Sequence, residues 1–132
     1  MRRTGSILVV DNEPTIVDLL VEIMTDEGYV VYSALNGAQA LATIALHAPA
    51  LLMLDLQMPV MSGAELIGRL REAGMATMPI VLITASPHEA TQLLSPKSIE
   101  CLAKPFDLDA LLACVARHVW PAQVADQLAF MN

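Results

Sequence analysis

The sequence predicts an α/β fold: a doubly wound, five-stranded parallel sheet with helices on both faces. Three observations carry that prediction. Short apolar runs and amphipathic stretches alternate five times along the chain, with short connections. Several of the runs are continuously apolar rather than alternating, as in strands covered on both faces. The composition, 55% hydrophobic and 16% charged, is apolar enough to build such a core. The 132 residues suit one domain, and a chain of this size buries roughly 68% of its unfolded surface without staples.

The elements come in order. Ser6-Ile7-Leu8-Val9-Val10 is a strand that stops at Asp11-Asn12-Glu13-Pro14. Pro14 belongs in the first turn of a helix, where a missing N–H costs nothing. Ile16, Leu19, Leu20, Ile23 and Met24 keep helical spacing, and Gly28 closes that helix. Tyr29 to Ser33 reads as the second strand. Asn36 with Gln39 resembles a capping box, opening a helix with Leu41, Ile44 and Ala45 inward that stops before Pro49. Leu51-Leu52-Met53-Leu54 is the third strand. It ends at Asp55, and a turn with Met58-Pro59 comes next.

Ser62 and Glu65 form a second capping box, for a helix with Leu66, Ile67 and Leu70 inward that Gly74 ends. Pro79 to Thr84 is the fourth strand. A short helix is expected over His88 to Leu94, broken by Pro96. Ile99 to Ala103 is the fifth strand. Asp107 caps a last helix with Leu108, Leu111, Leu112, Val115, Ala116 and Val119 on one face, ending near Trp120 and Pro121. The domain is expected over residues 1–120, with 121–132 as a C-terminal tail or linker.

Charge and cysteine usage exclude several classes. Fourteen acids against seven bases give a net charge of −7. The bases Arg2, Arg3, Arg69, Arg71, Lys97, Lys104 and Arg117 are scattered, so no patch suits nucleic acid or an anionic membrane. Cys101 and Cys114 have neither CxxC spacing nor neighbouring histidines, and read as buried thiols in a reducing compartment. No apolar run approaches 18 residues, and the N-terminus lacks an apolar signal core, so a cytoplasmic protein is expected. His47, His88 and His118 share no spacing and read as surface residues. No G-x-x-x-x-G-K-[ST] or G-x-G-x-x-G loop is present, which excludes a P-loop nucleotidase and leaves dinucleotide binding unsupported.

The chemistry gathers at strand ends. Asp11 follows the first strand, Asp55 ends the third, Thr84 the fourth, and Lys104 follows the fifth. In a parallel sheet these ends share one edge, where ligands bind in open α/β folds. Any one of them alone reads as a cap or loop residue. Two carboxylates beside a cation and a hydroxyl suit phosphoryl transfer. The acids recruit a hard divalent cation such as Mg2+, one carboxylate serves as nucleophile, and Lys104 and the metal neutralise phosphoryl oxygens.

These pieces resemble the receiver domain of bacterial two-component response regulators. The resemblance rests on Ile7-Leu8-Val9-Val10-Asp11-Asn12-Glu13-Pro14, Leu54-Asp55-Leu56-Gln57-Met58-Pro59-Val60-Met61-Ser62-Gly63, Ile83-Thr84-Ala85 and Leu102-Ala103-Lys104-Pro105-Phe106. It covers residues 6 to about 120 and implies the flavodoxin-like strand order 2-1-3-4-5. It further implies that Asp55 accepts phosphate from a histidine kinase or phosphotransfer protein. Asp11, Asp55 and the Gln57 backbone carbonyl would hold Mg2+. Thr84, Lys104 and the backbone N–H of Ala85 would contact the phosphoryl group. Such a chain is a phosphoacceptor that assists its own phosphorylation and dephosphorylation rather than an enzyme. It signals to a downstream effector by a conformational change, and receivers often form homodimers.

Two departures stand out. Asn12 occupies the place of the family's usual second acid and is a weaker Mg2+ ligand. Cys101 stands three residues before Lys104, where the family carries Tyr or Phe, and Pro96-Lys97 replaces a usual Gly-Ala pair. These motivate an alternative, a pseudo-receiver that binds partners without phosphorylation. An aspartate-nucleophile phosphatase is a third reading, but Asp55-Leu56-Gln57 lacks the second acid of an Asp-x-Asp pattern.

Overall fold

The computed structural model of the chain describes residues 4–58, 61–74, 78–85 and 99–121. The elements are β1 (Ile7–Val10), α1 (Pro14–Asp26), β2 (Val31–Ala34), α2 (Gly37–His47), β3 (Leu51–Asp55), α3 (Gly63–Glu72), β4 (Ile80–Thr84), β5 (Ile99–Ala103) and α4 (Leu108–Ala116). All strand pairs are parallel, and the sheet order is β2-β1-β3-β4-β5. This is the doubly wound, flavodoxin-like arrangement that the sequence predicts. The expected turn at Pro59, the helix over His88 to Leu94, the Pro96-Lys97 pair and the tail beyond Pro121 lie outside the described residues.

Alternation along the strands sorts the core into two layers. Leu8, Val10, Leu52, Leu54, Ile80 and Leu82 face α2 and α3, meeting Ala40, Ile44, Leu66, Ile67 and Leu70. Ile7, Val9, Leu51, Met53, Val81 and Ile83 face α1 and α4, meeting Leu20, Met24, Leu111, Cys114 and Val115. The two cysteines fall on opposite faces: Cys101 packs partly buried on the first layer and Cys114 lies inside the second. Each fully buried Leu, Ile or Val contributes roughly 1.5–3 kcal/mol. That burial offsets what it costs to hold carboxylates close together at the sheet edge.

Local signals set the helix ends. Pro14 stands at the start of α1. At its end Gly28 takes a φ of 94°, Gly28 N–H donates to Thr25 O and Tyr29 N–H to Met24 O. This is a Schellman closure, so Tyr29 belongs to the helix exit and β2 starts later than the sequence suggests, at Val31. Asn36 Oδ1 accepts from Gln39 N–H at 2.8 Å, while Gln39 reaches back to Leu35 N–H rather than to Asn36. Ser62 caps α3 through Glu65 N–H, and Asp107 caps α4 through Asp109 N–H.

Some inward assignments change. Leu19 and Leu108 are about half exposed, and Ala45 is exposed. Val17, Ala40 and Cys114 take the buried positions instead, because the helices present slightly rotated faces to the sheet. The last helix stops at Ala116, short of Trp120, in turns in which Val119 N–H still reaches Val115 O.

Candidate functional site

Parallel register brings the strand ends level. Val10 is opposite Leu54, Asp55 opposite Ile83, and Thr84 opposite Ala103. Two backbone bonds carry the ladders one step further: Asp11 N–H donates to Ala34 O at 3.2 Å, and Lys104 N–H to Thr84 O at 2.8 Å. Asp11 and Asp55 are therefore neighbours at one edge of the sheet, with Lys104 arriving from the far side of Thr84. Asp11 is 2% exposed, Asp55 6% and Thr84 0%.

Lys104 Nζ donates to Asp11 Oδ2 at 3.3 Å and lies 3.7 Å from Asp55 Oδ2. The second oxygen of each carboxylate is held by its own loop. Asp11 Oδ1 accepts from Glu13 N–H at 3.0 Å, and Asp55 Oδ1 from Gln57 N–H at 3.2 Å. These two-residue Asx turns orient the acids and the loops that leave them. No buried side-chain nitrogen or oxygen among the described residues lacks a partner.

Burial holds the Asp55 carboxyl above its ordinary value; the Gln57 N–H opposes this, the Asp11 charge adds to it, and Lys104 opposes it. For Lys104, burial works against the charged form. The Asp11 and Asp55 carboxylates outweigh it and, with a further contribution from Glu13, hold the ammonium above the usual lysine range.

Two carboxylates against one ammonium leave a net negative charge at this edge of the sheet. That donor set fits a small hard cation such as Mg2+. Asp11 and Asp55 are the two carboxylates that the structure brings together around Lys104. Among the described residues no three His, Cys, Asp or Glu side chains gather as a ligand cluster, so the acidic set stops at two. Asn12, in the place of a third acid, is exposed beside Asp11. Thr84 is fully buried at the end of β4, and Ala85, the next residue, is exposed.

One grouping was not foreseen from the sequence. Glu100 Oε2 on β5 accepts from Cys114 Sγ at 3.2 Å, lies 2.7 Å from His118 Nε2 and 3.4 Å from Arg117 Nη2. His118 is thus partly buried against Glu100 rather than a free surface residue. The only signal was a lone acid inside an apolar strand. Burial raises both thiols, and with the neighbouring Glu100 it pushes Cys114 up to about 12; both are poor nucleophiles at neutral pH.

Residues 7–116 match the family model of the response regulator receiver domain. The chain belongs to this family. The receiver is 38% identical over 109 residues to the transcriptional regulatory protein KdpE of Mycobacterium tuberculosis, covering 81% of this chain but 47% of that protein. It thus spans about half the length of that relative. It is 33% identical over 116 residues to sporulation initiation phosphotransferase F of Bacillus subtilis, covering 86% of this chain and 92% of that one. Among solved structures, the response regulator protein TrrA from Thermotoga maritima, in complex with Mg2+-BeF, superposes with a TM-score of 0.75 at 37% identity. The match covers 86% of this receiver and 97% of that chain. The receiver is therefore a module of two-component signalling. No helix among the described residues is long and apolar enough to cross a membrane.

Proposed function

We propose that this receiver accepts a phosphoryl group on Asp55, with Mg2+, from a sensor histidine kinase or a histidine phosphotransfer protein. The observation that carries the reading is the placement of Asp55: nearly buried, beside a second carboxylate, with Lys104 Nζ 3.7 Å from its Oδ2. Asp55 Oδ2 attacks phosphorus, the new P–O bond forms as the P–N bond of the phosphohistidine breaks, and the imidazole leaves. Lys104 neutralises charge on the phosphoryl oxygens, and Thr84 Oγ1 and the Ala85 N–H donate to them. Asp11, Asp55 and the Gln57 carbonyl hold Mg2+, which when bound supplies further positive charge to those oxygens. TrrA, bound to Mg2+-BeF and similar over most of both chains, supports this reading.

On the same reading residues 1–120 form the receiver and 121–132 a C-terminal tail or linker remnant. The chain works in the cytoplasm, assists its own phosphoryl transfer without being an enzyme, and signals to an effector by a conformational change. Its partners are proteins rather than nucleic acid or membrane, since its bases are scattered. Asn12 and Cys101 favour the second reading, a phosphorylation-independent interaction module.

Intact mass after incubation with acetyl phosphate and Mg2+, alongside Asp55→Asn, decides between them. One phosphoryl group on the parent and none on the variant is the expected result. No addition at any Mg2+ concentration, with the fold intact, would favour the interaction module.

A further inference from the structure

Gly37, the first residue of α2, is buried, and it has no room for a side chain. A Cβ there would overlap Met61 Sδ and stand 2.8 Å from Met61 Cγ and 2.9 Å from Met61 Cβ. The conflict reaches back to the Met61 Cβ, so rotating the thioether does not relieve it and the backbone at 61 would have to move. Met61 itself packs on the core layer under α2 and α3.

The segment that leaves Asp55 is held at two further points. Gly63 N–H donates to Leu56 O at 2.9 Å, and a Cβ on Gly63 would meet Leu56 Cα at 2.8 Å and Asp55 O at 3.0 Å. Met58 is 8% exposed in the same core layer. Between these points lies Gln57, whose N–H is bonded to Asp55 Oδ1 and whose carbonyl is the third group assigned to the metal.

We infer that Gly37 is a positioning residue for the metal site: the missing side chain lets Met61 seat beneath α2, and the seated Met61 holds the segment that presents the Gln57 carbonyl. The metal half of this inference rests on the proposed phosphoacceptor reading; the positioning half does not. Helix propensity alone favours Ala over Gly, so a loss on Gly37→Ala would come from the Met61 contact.

The test is hydrogen–deuterium exchange of the metal-free protein by NMR, then Mg2+ titration. Gly37→Ala should speed exchange of the Gln57 amide by about tenfold or more and weaken Mg2+ binding several-fold. Met61→Gly should do the same, and adding Gly37→Ala to Met61→Gly should change little further, because the overlap is gone. Ala42→Gly, on the exposed side of α2, weakens the helix without touching Met61 and should leave Gln57 exchange unchanged. Additive effects of the two substitutions, or an equal response to Ala42→Gly, would overturn the inference. If the parent took up no Mg2+, the reading of the site and the metal half of the inference would fall together, and the metal-free exchange would still decide the role of Gly37.

Discussion

Lys104 Nζ lies 3.3 Å from Asp11 Oδ2, closer than to the Asp55 oxygen it is expected to serve. Without metal, the ammonium is the counter-ion of the acidic pair and competes with a divalent cation for the same oxygens. Lys104→Met should therefore tighten Mg2+ binding, while slowing phosphoryl transfer from acetyl phosphate by about a hundredfold or more. Calorimetric titration and single-turnover mass measurement separate the two effects. Unchanged Mg2+ affinity would mean that the ammonium does not compete.

Asp55 offers a pH test of stability. Its folded pKa is raised above 3.8, so the folded state binds this proton more tightly than the unfolded state. Ionised Asp55 therefore costs stability at neutral pH, and the cost is relieved as pH falls through the raised value toward 3.8. Asp55→Asn should raise Tm at pH 7.5 by about 2–4 °C, with the gain shrinking near pH 4. An equal gain at both pH values would assign it to something other than charge.

Asn12→Asp adds a third acid next to Asp11. One added charge about 4 Å from a divalent cation in water-like surroundings is worth ~2 kcal/mol, or about thirtyfold in affinity. Asn12 is exposed, so this water-like figure applies. Mg2+ titration should show the tightening, and thermal melts without metal should show a small loss from added repulsion. Unchanged affinity would place residue 12 outside the metal site.

Glu100 has the opposite sign. Burial alone would raise its carboxyl, but the bonds from His118, Cys114 and Arg117 hold it below 4.5. Its contribution is thus full above pH 4.5 and is lost as pH falls further. The group is a third exposed, so Glu100→Gln should cost only about 0.5–1 kcal/mol at pH 7. Denaturant titrations should show that gap narrowing below pH 4.5.

Much of the fold was legible because the strands report themselves. Leu51 to Leu54 are apolar on both faces, and the residue after such a run in a parallel sheet must sit at the common edge. Asp11, Asp55, Thr84 and Lys104 could thus be grouped from their places at strand ends alone. Helix rotation was less legible: Leu19 and Leu108 lie at the margins of their apolar stripes, and only packing decides which margin turns to water. The Glu100 group and the Gly37–Met61 contact were hidden for another reason. Each joins residues from different elements, through a bond or a steric exclusion that leaves no periodicity in the sequence.

The pairing of Asp11 with Lys104 also fixes when the site comes into being. The two residues stand 93 positions apart, and Lys104 arrives only after β5, an edge strand, has docked on β4. Until β5 docks, the two acids have no Lys104 cation between them. Such long-range closure is slow compared with helix formation. An incomplete or misassembled copy therefore lacks the Lys104 cation that neutralises the acidic pair.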